Sequence, residues 1–441
     1  MKPMETPVTL ETLVALCKRR GFVYSSADIY GGINGIYEFG HLGTLMKKNI
    51  RQMWTSSLDN QLGQVVQMEG ALLGPEAVWK ASGHVAGFHD PMVDCKACKR
   101  RFRADEFDLS KGCPVCGKKD WTEIRAFNMM FKTQLGAMED GSSVAYLRPE
   151  TAQALFVNFK NVLTTARVKM PFGIAQIGKS FRNEITPKQF LFRMREFEQM
   201  EIEWFCKEED AQNTFDFWIK HRLEFYKSIG VDMEKIRIRA HEKDELAHYS
   251  KNCSDVEYNF PFGWKELEGI AYRGNFDLTQ HSTHSGKELA VFDDATRTSY
   301  IPHVVECSVG TDRLFLTLLF DAYREDEIEG EKRVILALSP AIAPITAAFM
   351  PLTNKLSAQA KLLYETFKKT GMSVDLDESG SIGKRYRRQD EIGTPFCITY
   401  DFDSENDHCV TVRNRDTTKQ ERIAIDGLSE YLKNALHTWK R

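Results

Sequence analysis

The sequence predicts an α+β protein with a largely antiparallel sheet, followed by a smaller α/β domain. Strand-like runs recur at irregular spacing through the first three quarters of the chain, and helical stretches such as TAQALFVNFKNVL interrupt them. Those runs are VAYLRP, GIAQIGKSF, EQMEIEWF, IRIRAH and AVFDD. After a polar stretch at 324–333, predicted to be a linker, strand-like and helical runs alternate, which is typical of an α/β unit.

The length of 441 residues exceeds one ordinary domain. We predict one domain over 1–328, with a cysteine-rich insertion over 90–125, and a second over 329–441. The composition, 42% hydrophobic and 27% charged, is that of an ordinary globular protein. The net charge of -3 excludes a uniformly basic nucleic-acid binder, so a nucleic acid would have to meet one local surface.

The N-terminal region predicts two helices joined by the glycine-rich link DIYGGINGIYEFGHLG, the second running from about Leu42 to Trp54. The first helix lacks a continuous apolar core, so we expect no signal peptide. The most apolar run, at 334–352, contains three prolines and predicts buried strands rather than a membrane span. Ten cysteines without a secretion signal predict reduced thiols in the cytoplasm.

Two cysteine pairs form the most specific local motif. Two residues separate Cys95 from Cys98 and Cys113 from Cys116, and fourteen residues lie between the pairs. This spacing is typical of a four-cysteine zinc ribbon, in which four thiolates hold the ion tetrahedrally and leave no position for water. We therefore predict a structural Zn²⁺ site and not a catalytic one.

The segment FRNEITPKQFLFRMREFEQMEIEWF, at 181–205, places charge on predicted strands. At a spacing of two residues, Arg182 shares a face with Glu184, and Phe197 shares a face with Glu201. Arg182 would bind a phosphate or carboxylate, Glu184 would accept hydrogen bonds from an amine, and Phe197 would stack on a ring. From these residues alone, an exposed hairpin with surface ion pairs explains the pattern equally well.

A second stretch, VVECSVGTDRLFLTLLFDAY at 304–323, favours a binding site over an ordinary strand-to-helix turn. Glu306 lies in an otherwise apolar run, and Gly310 permits close approach to the backbone. Arg313 falls in the first turn of the predicted helix, where a cation opposes the dipole by about 0.3–1 kcal/mol unless an anion is present. Because GxxxxGK[ST] and GxGxxG are both missing, we predict a nucleoside triphosphate held differently, beside an amine-bearing substrate.

At these residues the chain resembles the class II aminoacyl-tRNA synthetases, and within that class the homodimeric glycyl-tRNA synthetase family. FRNEI…FRMREFEQMEIE is similar to motif 2, ECSVGTDR to motif 3, and the glycine-rich link to the region around motif 1, which builds the dimer interface. YLRPETAQALFVNF, WKELEGIAYRGNFDLTQHS and KRYRRQDEIGTPFCITYDFD are further signatures. The resemblance implies a class II synthetase fold over 1–328 and an anticodon-binding domain over 329–441.

The resemblance implies two catalytic arginines and a site for ATP with Mg²⁺ near Glu266. Arg182 would hold the α-phosphate and Arg313 the γ-phosphate, while Phe197 would stack on adenine and Glu184 would bind its amine. The implied ATP-binding residues are Arg182, Asn183, Glu184, Phe192, Arg193, Met194, Arg195, Glu196, Phe197, Glu266, Leu267, Gly310, Thr311, Asp312 and Arg313.

The resemblance also implies a glycine site in which Glu150, Glu201 and Glu306 surround the substrate ammonium. Larger amino acids would be excluded by lack of room beyond the α-carbon, so no editing domain is expected. The implied glycine-binding residues are Arg103, Glu150, Phe197, Glu198, Gln199, Met200, Glu201, Glu306, Cys307, Ser308, Val309 and Gly310.

The implied activity is ATP-dependent attachment of glycine to tRNA(Gly) through a glycyl-adenylate, by a cytoplasmic homodimer without membrane contact. The alternative is a non-catalytic nucleic-acid-binding paralogue on the same fold, which would have lost the two arginines or the acidic residues. A zinc-ribbon RNA-binding regulator is a third possibility, but it leaves the charges of motifs 2 and 3 unexplained.

Three positions depart from the family pattern, which has Pro, Gly and Pro where this chain has His41, Ala154 and Cys307. No charged ligand is lost, so the departures bear on pocket shape and dimer packing. A basic cluster suited to RNA phosphates, or to a solvated helix face, is formed by Lys384, Arg385, Arg387 and Arg388. His281 and His284 are interpreted as hydrogen-bonding loop residues without a metal.

Overall fold

The computed structural model describes residues 8–60, 62–136, 144–242, 245–246, 250–328 and 330–439. The helices in these ranges are α1 (Leu10–Arg20), α2 (His41–Ser56), α3 (Glu76–Ala81), α4 (His84–Gly87), α5 (Ala152–Val157), α6 (Phe159–Thr165), α7 (Ala211–Ser228), α8 (Phe276–Ser285), α9 (Thr311–Ala322), α10 (Ser357–Lys368), α11 (Ile382–Ile392), α12 (Ser404–Asp407) and α13 (Leu428–Thr438). None of these helices is both long and apolar enough to cross a lipid bilayer.

The strands are β1 (Val23–Ser25), β2 (Tyr37–Phe39), β3 (Gln64–Gln67), β4 (Leu73–Pro75), β5 (His89–Asp94), β6 (Arg101–Arg103), β7 (Arg125–Asn128), β8 (Lys132–Gln134), β9 (Val144–Leu147), β10 (Phe172–Phe181), β11 (Glu196–Cys206), β12 (Ile236–Ala240), β13 (Asn252–Phe260), β14 (Gly263–Gly274), β15 (Val291–Asp293), β16 (Thr298–Tyr300), β17 (His303–Gly310), β18 (Tyr323–Ile328), β19 (Glu331–Leu336), β20 (Ala347–Pro351), β21 (Val374–Leu376), β22 (Phe396–Tyr400), β23 (Cys409–Asn414) and β24 (Gln420–Ala424).

A seven-stranded sheet in the order β12–β13–β14–β17–β11–β10–β3 forms the centre of the first part of the chain. All neighbouring strands run antiparallel except β10 and β3, so the sheet is largely antiparallel, as the sequence predicts. The four cysteines lie outside it, on and beside a separate sheet of three short strands, β6–β5–β7.

The two faces of the central sheet differ because side chains alternate along each strand. On one face, Met200 and Trp204 of β11 are fully buried in a hydrophobic core that α7 and α9 cover. On the other face, Glu201 and Glu203 of β11 lie beside Glu306 of β17. The charge pattern of the sequence thus places a carboxylate-rich surface directly above an apolar core.

Among the described residues, α5 and α6 cover one end of the charged face. Toward β10, the same face becomes apolar, and Phe172 and Phe205 pack with Leu155 and Phe159 of α5 and α6. At the other end, over β14 and β17, the face borders a cavity. A ligand in this cavity would therefore lie against the charged part of the sheet.

The C-terminal part contains a five-stranded sheet in the order β21–β20–β22–β23–β24. β20 runs parallel to both neighbours, and the remaining pairs are antiparallel. Phe349 and Ile398 of the sheet pack against Phe367 of α10 and Leu432 of α13. This arrangement agrees with the α/β unit that the alternating sequence pattern predicts.

The linker predicted at 324–333 is wrong, because the segment forms the hairpin β18–β19; residue 329 lies outside the described residues. Oppositely charged residues face each other across its two strands, for example Asp326 and Arg333. Such cross-strand charge pairs stabilise the pairing of the strands. Arg333 is also 3.2 Å from Asp390 of α11, so the hairpin is attached to the C-terminal part.

Two helical predictions differ from the structure. The single helix predicted over TAQALFVNFKNVL is broken at Asn158, whose side chain donates to the carbonyl of Ala154 at 2.9 Å. His281 and His284 lie on α8 and not in a loop. Nε2 of His281 is 2.7 Å from Oε1 of Gln153, so its interpretation as a hydrogen-bonding residue is confirmed.

The predicted basic cluster on α11 is mainly structural. Arg385 is buried and donates to the carbonyl oxygens of Pro351 and Glu378, and Arg388 forms an ion pair with Asp377. These two guanidinium groups bind protein acceptors, so this half of the cluster is used within the fold.

Candidate active site on the central sheet

A cavity of about 380 Å³ opens above β11, β14 and β17, within the size range of small-molecule sites. Its walls bring together most of the residues predicted from the sequence. Those residues are Arg103, Glu150, Arg182, Glu184, Phe192, Arg193, Met194, Phe197, Glu198, Gln199, Glu201, Glu266, Glu306, Ser308, Gly310, Asp312 and Arg313.

Arg182 lies at the cavity wall immediately after β10 ends. Its Nε donates to the carbonyl of Pro149 at 3.1 Å, and its guanidinium lies 5.2 Å from the ring centroid of Phe88 and 5.3 Å from that of Phe197. The predicted alternation through Glu184 is wrong, because the Glu184 N–H donates to the Arg182 carbonyl at 2.7 Å in a tight turn. Two aromatic rings and a carbonyl therefore fix this cation.

Arg313 occupies the first turn of α9, as predicted. Its Nη1 donates to the carbonyl of Glu266 at 2.8 Å and is 3.3 Å from the Glu266 carboxylate. Its guanidinium lies 4.4 Å from the ring centroid of Phe192. The two predicted catalytic arginines thus line one cavity from separate segments of the chain.

Carboxylates of the cysteine-rich insertion hold the basic groups at the cavity edge. Glu106 accepts from Lys188 at 2.8 Å and from Arg193 at 2.5 Å. Arg103 pairs with Asp90 at 2.8 Å. The loop after β10 is therefore connected to the insertion through ion pairs, and Arg103 and Arg193 reach the cavity together.

Acidic side chains cluster in the cavity wall, and we call Glu150, Glu201, Glu203 and Glu306 the acidic pocket; Glu203 is fully buried behind the residues that line the cavity. Carboxylate oxygens of Glu201, Glu203 and Glu306 lie within 4.8 Å of one another. Ser308 donates to Glu201 at 2.7 Å, and Glu150 is 3.3 Å from Nε2 of His84. Other hydrogen bonds to the pocket come from Thr151, which donates to Glu201, and Gln153, which donates to Glu150.

Burial and like charges control protonation in the acidic pocket. Burial, together with the charges of Glu306 and Glu150, raises the pKa of Glu201 to about 7. Burial raises the pKa of Glu203 well above its usual range, and neither of its carboxylate oxygens has a hydrogen-bond partner. Burial alone would raise the pKa of Glu150, but the neighbouring His84 holds it well below its usual range. A cation entering this pocket would favour the ionised form of these carboxyl groups and would be stabilised by them.

Sequence reasoning missed Arg273, which faces the acidic pocket from β14. It makes two hydrogen bonds to Asp277, at 2.8 and 2.9 Å, and pairs with Glu306. The missed signal was an arginine ending an apolar run, IAYR, with an aspartate four residues later. Met129, Leu191 and Gly269 also line the cavity without having been predicted.

Eight predicted residues do not line the cavity: Asn183, Arg195, Glu196, Met200, Leu267, Cys307, Val309 and Thr311. Met200, Leu267, Cys307 and Val309 belong to the core on the opposite face, because strand side chains alternate. Arg195 instead positions the loop by donating to the carbonyls of Glu184 and Asn34.

Some residues that line the cavity already form hydrogen bonds or ion pairs with other parts of the protein. The buried carboxylate of Asp312 accepts from Lys47 at 2.6 Å and from the backbone N–H of Glu198 at 2.7 Å. Glu198 itself pairs with Arg51. These contacts connect α2 to the start of α9, so both carboxylates support the cavity wall.

The three departures from the family pattern lie away from the cavity lining. His41 is exposed at the start of α2, and Ala154 lies on α5. Cys307 is buried in the core beneath the sheet. Substitution at these positions leaves the charged groups of the cavity in place.

The four cysteines of the insertion are brought together. Their Sγ atoms lie within 4.8 Å of one another, with Cys95 and Cys116 3.6 Å apart and Cys98 and Cys113 3.7 Å apart. Four thiolates around one Zn²⁺ at 2.3 Å would be about 3.8 Å apart in a tetrahedron. The cluster could therefore hold zinc with little movement.

Comparison with known proteins agrees with this organisation. A family model described as an anticodon binding domain matches residues 342–435. An antiparallel sheet bearing the cavity, followed by that domain, is consistent with a class II aminoacyl-tRNA synthetase.

Curated relatives identify the family. The chain is 51% identical over 460 residues to the glycine–tRNA ligase of Caldanaerobacter subterraneus subsp. tengcongensis, covering 98% of this chain and 100% of the relative. It is 50% identical to that of Acetivibrio thermocellus, covering 97% and 98%, and 49% identical to that of Geobacillus thermodenitrificans, covering 96% and 97%. The chain belongs to the glycine–tRNA ligase family.

Proposed function

We propose that this protein attaches glycine to tRNA(Gly) in an ATP-dependent reaction that passes through a glycyl-adenylate. The observation that carries the proposal is a single cavity whose walls carry both Arg182 and Arg313 and a cluster of carboxylates. Such a cavity can hold a polyphosphate next to a small ammonium compound. Membership of the glycine–tRNA ligase family supports glycine as that compound.

At the ATP end, we assign Arg182 to the α-phosphate and Arg313 to the γ-phosphate. The fixed guanidinium of Arg182 would stabilise charge that develops on the reacting phosphorus, without reorganising during the reaction. Phe197 would stack on adenine, and Glu184, whose Oε2 is buried without a hydrogen-bond partner, would accept from the adenine amine.

Glu266 offers a half-exposed carboxylate at the same end, and Mg²⁺ prefers oxygen ligands. The residues therefore fit a magnesium ion, which would neutralise charge on the phosphates when bound. The contribution of the chain itself is to hold the phosphates between Arg182 and Arg313.

At the amino-acid end, we assign the ammonium of glycine to the acidic pocket. Carboxylate oxygens of Glu201 and Glu306 lie within 4.8 Å of each other, so one nitrogen between them can hydrogen-bond to both. We assign Arg273 to the carboxylate of glycine, because its guanidinium pairs directly with Glu306 of the pocket. A side chain on the substrate would have to displace these groups, which accounts for selection of glycine by size.

In the proposed reaction, no protein nucleophile takes part. An oxygen of the glycine carboxylate attacks the α-phosphorus, and pyrophosphate leaves as that bond forms. A ribose hydroxyl at the tRNA terminus then attacks the glycyl carbonyl, and AMP leaves. The protein acts by positioning the reactants and stabilising charge.

We propose a class II synthetase architecture with a catalytic domain over 1–328 and an anticodon-binding domain over 329–441. The antiparallel sheet and the separate five-stranded sheet support this division. The match of an anticodon-binding family to 342–435 supports the assignment of the second domain to tRNA.

We propose a structural zinc ion in the insertion over 90–125, bound by Cys95, Cys98, Cys113 and Cys116. The thiol spacing supports it. Because Glu106 of the insertion holds Arg193 and Lys188, removing the ion should weaken ATP binding through loss of these ion pairs. Cys98→Ser should raise the KM for ATP, whereas Cys409→Ser, on β23, should not.

We propose that the protein is a homodimer. Ile29 and Tyr30 in the glycine-rich link are 89% and 88% exposed, which is unusual for large apolar side chains that have no partner surface. Ile29→Asp should shift the sedimentation coefficient to that of a monomer. A cytoplasmic location is proposed because all ten cysteines are unpaired thiols.

The direct test of the proposed function is amino-acid-dependent exchange of pyrophosphate into ATP. We expect exchange with glycine and not with alanine or serine. Arg182→Ala should lower the exchange rate by roughly 10²–10³, the loss typical of one preorganised donor. Arg297→Ala removes an exposed arginine that lies 4.0 Å from Asp294, and it should leave the rate unchanged.

The competing function, a non-catalytic nucleic-acid-binding paralogue, predicts no exchange with any amino acid. Such a protein would have no reason to keep Arg182, Arg313 and the acidic pocket in one cavity. Their presence favours the enzyme, and absence of glycine-dependent exchange would overturn that choice.

A further inference from the structure

A second group of metal-type ligands lies at one edge of the central sheet, apart from the four cysteines. His241 follows β12, and Cys253 and Asp255 lie two residues apart on β13 and so share a face. Nε2 of His241 is 2.8 Å from Oδ2 of Asp255. One donor atom from each of the three residues lies within 4.8 Å of the other two.

The backbone holds this group in place. The N–H of His241 donates to the carbonyl of Cys253 at 3.0 Å, and β12 and β13 are paired in register up to this point. Two of the three ligands therefore lie on a regular strand, and the third is tied to that strand by the hydrogen bond. A site built on strands keeps its geometry better than a site on a free loop.

The donor set selects the kind of ion. Imidazole nitrogen, thiolate sulfur and carboxylate oxygen are the ligands of zinc-type divalent cations, whereas Mg²⁺ and Ca²⁺ take oxygen ligands. Three protein ligands leave one position of a tetrahedron open. This differs from the four-cysteine cluster, which fills every position with protein.

Neighbouring charge also favours a cation here. The carboxylates of Asp255, Glu306 and Glu266 all act electrostatically on Cys253. Arg239 contributes the opposite sign, but it is paired with Glu257 at 3.4 Å. A divalent ion would relieve the repulsion among these carboxylates and would replace the thiol proton.

The sheet register places this group beside the acidic pocket. Asp255 is opposite Gly269 of β14, and Gly269 is opposite Ser308 of β17. Residues in one row of a sheet share a face, so Asp255 lies about 10 Å from Ser308, two strand spacings away. A Cβ on Gly269 would meet no atom within 4 Å, so open space separates the two groups.

We propose that His241, Cys253 and Asp255 form a second metal site in this protein, for a zinc-type divalent cation whose open coordination position faces the cavity. The site is distinct from the four-cysteine cluster in its ligands and in its position on the sheet. It does not depend on which amino acid the cavity binds.

The test is the amount of Zn²⁺ bound by the full-length chain after removal of metal with a chelator and reloading. Cys253→Ala should bind one Zn²⁺ per chain fewer than the wild type. Cys409→Ala removes another partly exposed strand cysteine and should bind as much as the wild type. With Co²⁺ as the probe, Cys253→Ala should also lose part of the thiolate-to-metal absorption.

A second variant separates ligand loss from misfolding. His241→Gln changes a side chain that is 20% exposed, so the fold should tolerate it, and it too should lose one Zn²⁺ per chain. Equal zinc content in the wild type, Cys253→Ala and His241→Gln, with unchanged circular dichroism, would overturn the proposal. Pyrophosphate exchange is a separate readout, so the two proposals can fail independently.

Discussion

The two faces of the central sheet both bury charge, but in different proportions. Beneath the sheet, Arg222 of α7 donates to Glu268 of β14 at 2.8 Å, and both side chains are fully buried. Above the sheet, the acidic pocket and Asp277 supply five carboxyl groups, and Arg273 is the guanidinium that pairs with them. A balanced pair leaves no buried charge uncompensated. A surplus of carboxyl groups must instead be compensated by protons or by a cation that enters.

The difference explains how one sheet can serve stability and chemistry. Glu268 and Arg273 lie on the same strand five positions apart, so they point to opposite faces. On the core face, Tyr226 also donates to Glu268, and no ligand is needed to satisfy the group. On the pocket face, burial raises the pKa of Glu201 and Glu203, so protons compensate these groups until an ammonium enters.

The largest expected effect comes from removing one carboxylate of the acidic pocket. Glu306→Gln should lower kcat/KM for glycine in pyrophosphate exchange by roughly 10²–10³, because a buried charged partner typically contributes about 2–5 kcal/mol. The rate with saturating ATP is measured over a range of glycine concentrations. Glu288→Gln, an exposed glutamate outside the cavity, is the matched control. Equal values of kcat/KM for glycine in the wild type and in Glu306→Gln would contradict a role for the charge of Glu306 in binding glycine.

On the core face, where Arg222 pairs with Glu268, a substitution should instead lower the stability of the fold. Glu268→Ala leaves the Arg222 guanidinium buried without its carboxylate, so the free energy of unfolding should fall by about 3–5 kcal/mol. Urea denaturation measures this change. The double variant Arg222→Met/Glu268→Leu should recover most of the loss, because an apolar pair of similar volume replaces the ion pair. A double variant as unstable as Glu268→Ala would show that charge balance is not what stabilises this face.

The acidic pocket also predicts that the KM for glycine and the stability of the protein depend on pH. Because the pKa of Glu201 is raised to about 7, its carboxylate becomes protonated as the pH falls below that value, and the KM for glycine should rise. Without glycine, the raised pKa means that the folded protein retains this proton more tightly than the unfolded chain. Its contribution to stability is therefore complete below about 4.5 and is lost as the pH rises to about 7.

Steady-state exchange between pH 5.5 and 8.5 checks the KM, and thermal unfolding without glycine checks the stability. Glu201→Gln should remove the dependence near neutral pH. A KM that stays constant across this range in the wild type would contradict a protonated Glu201.

The smallest effect is expected for an exposed ion pair. Lys80 and Glu76 on α3 are 2.7 Å apart, with 57% and 37% of their side chains exposed. Water and salt screen such a pair, so Glu76→Gln should leave the urea midpoint unchanged within error. A clear shift would mean that burial is not what distinguishes the charge pairs of this protein.

The sequence predicted the two faces because alternation along a strand is a local property. Met200 and Glu201 follow each other in the chain, and the structure places one in the core and the other in the pocket. It could not identify Arg273, whose role depends on Glu306 from another strand. Nor could it show that Arg385 of α11 is buried, since this burial depends on its contacts with Pro351 of β20 and with Glu378.

Local reasoning also failed where chain geometry changes abruptly. The alternation through Glu184 was assumed to continue past Phe181, but β10 ends there. The charge of the run at 324–333 predicts a linker, but its acidic half faces its basic half in a hairpin. Cross-strand pairing of this kind becomes visible only when both strands are considered together.

The central claim is that the acidic pocket receives the ammonium of glycine. A crystal structure with glycine and a non-hydrolysable ATP analogue tests it most directly. We expect the glycine nitrogen to lie within about 3.2 Å of a carboxylate oxygen of Glu201 and of one of Glu306. Glycine bound elsewhere in the cavity, with only water between these two carboxylates, would contradict it.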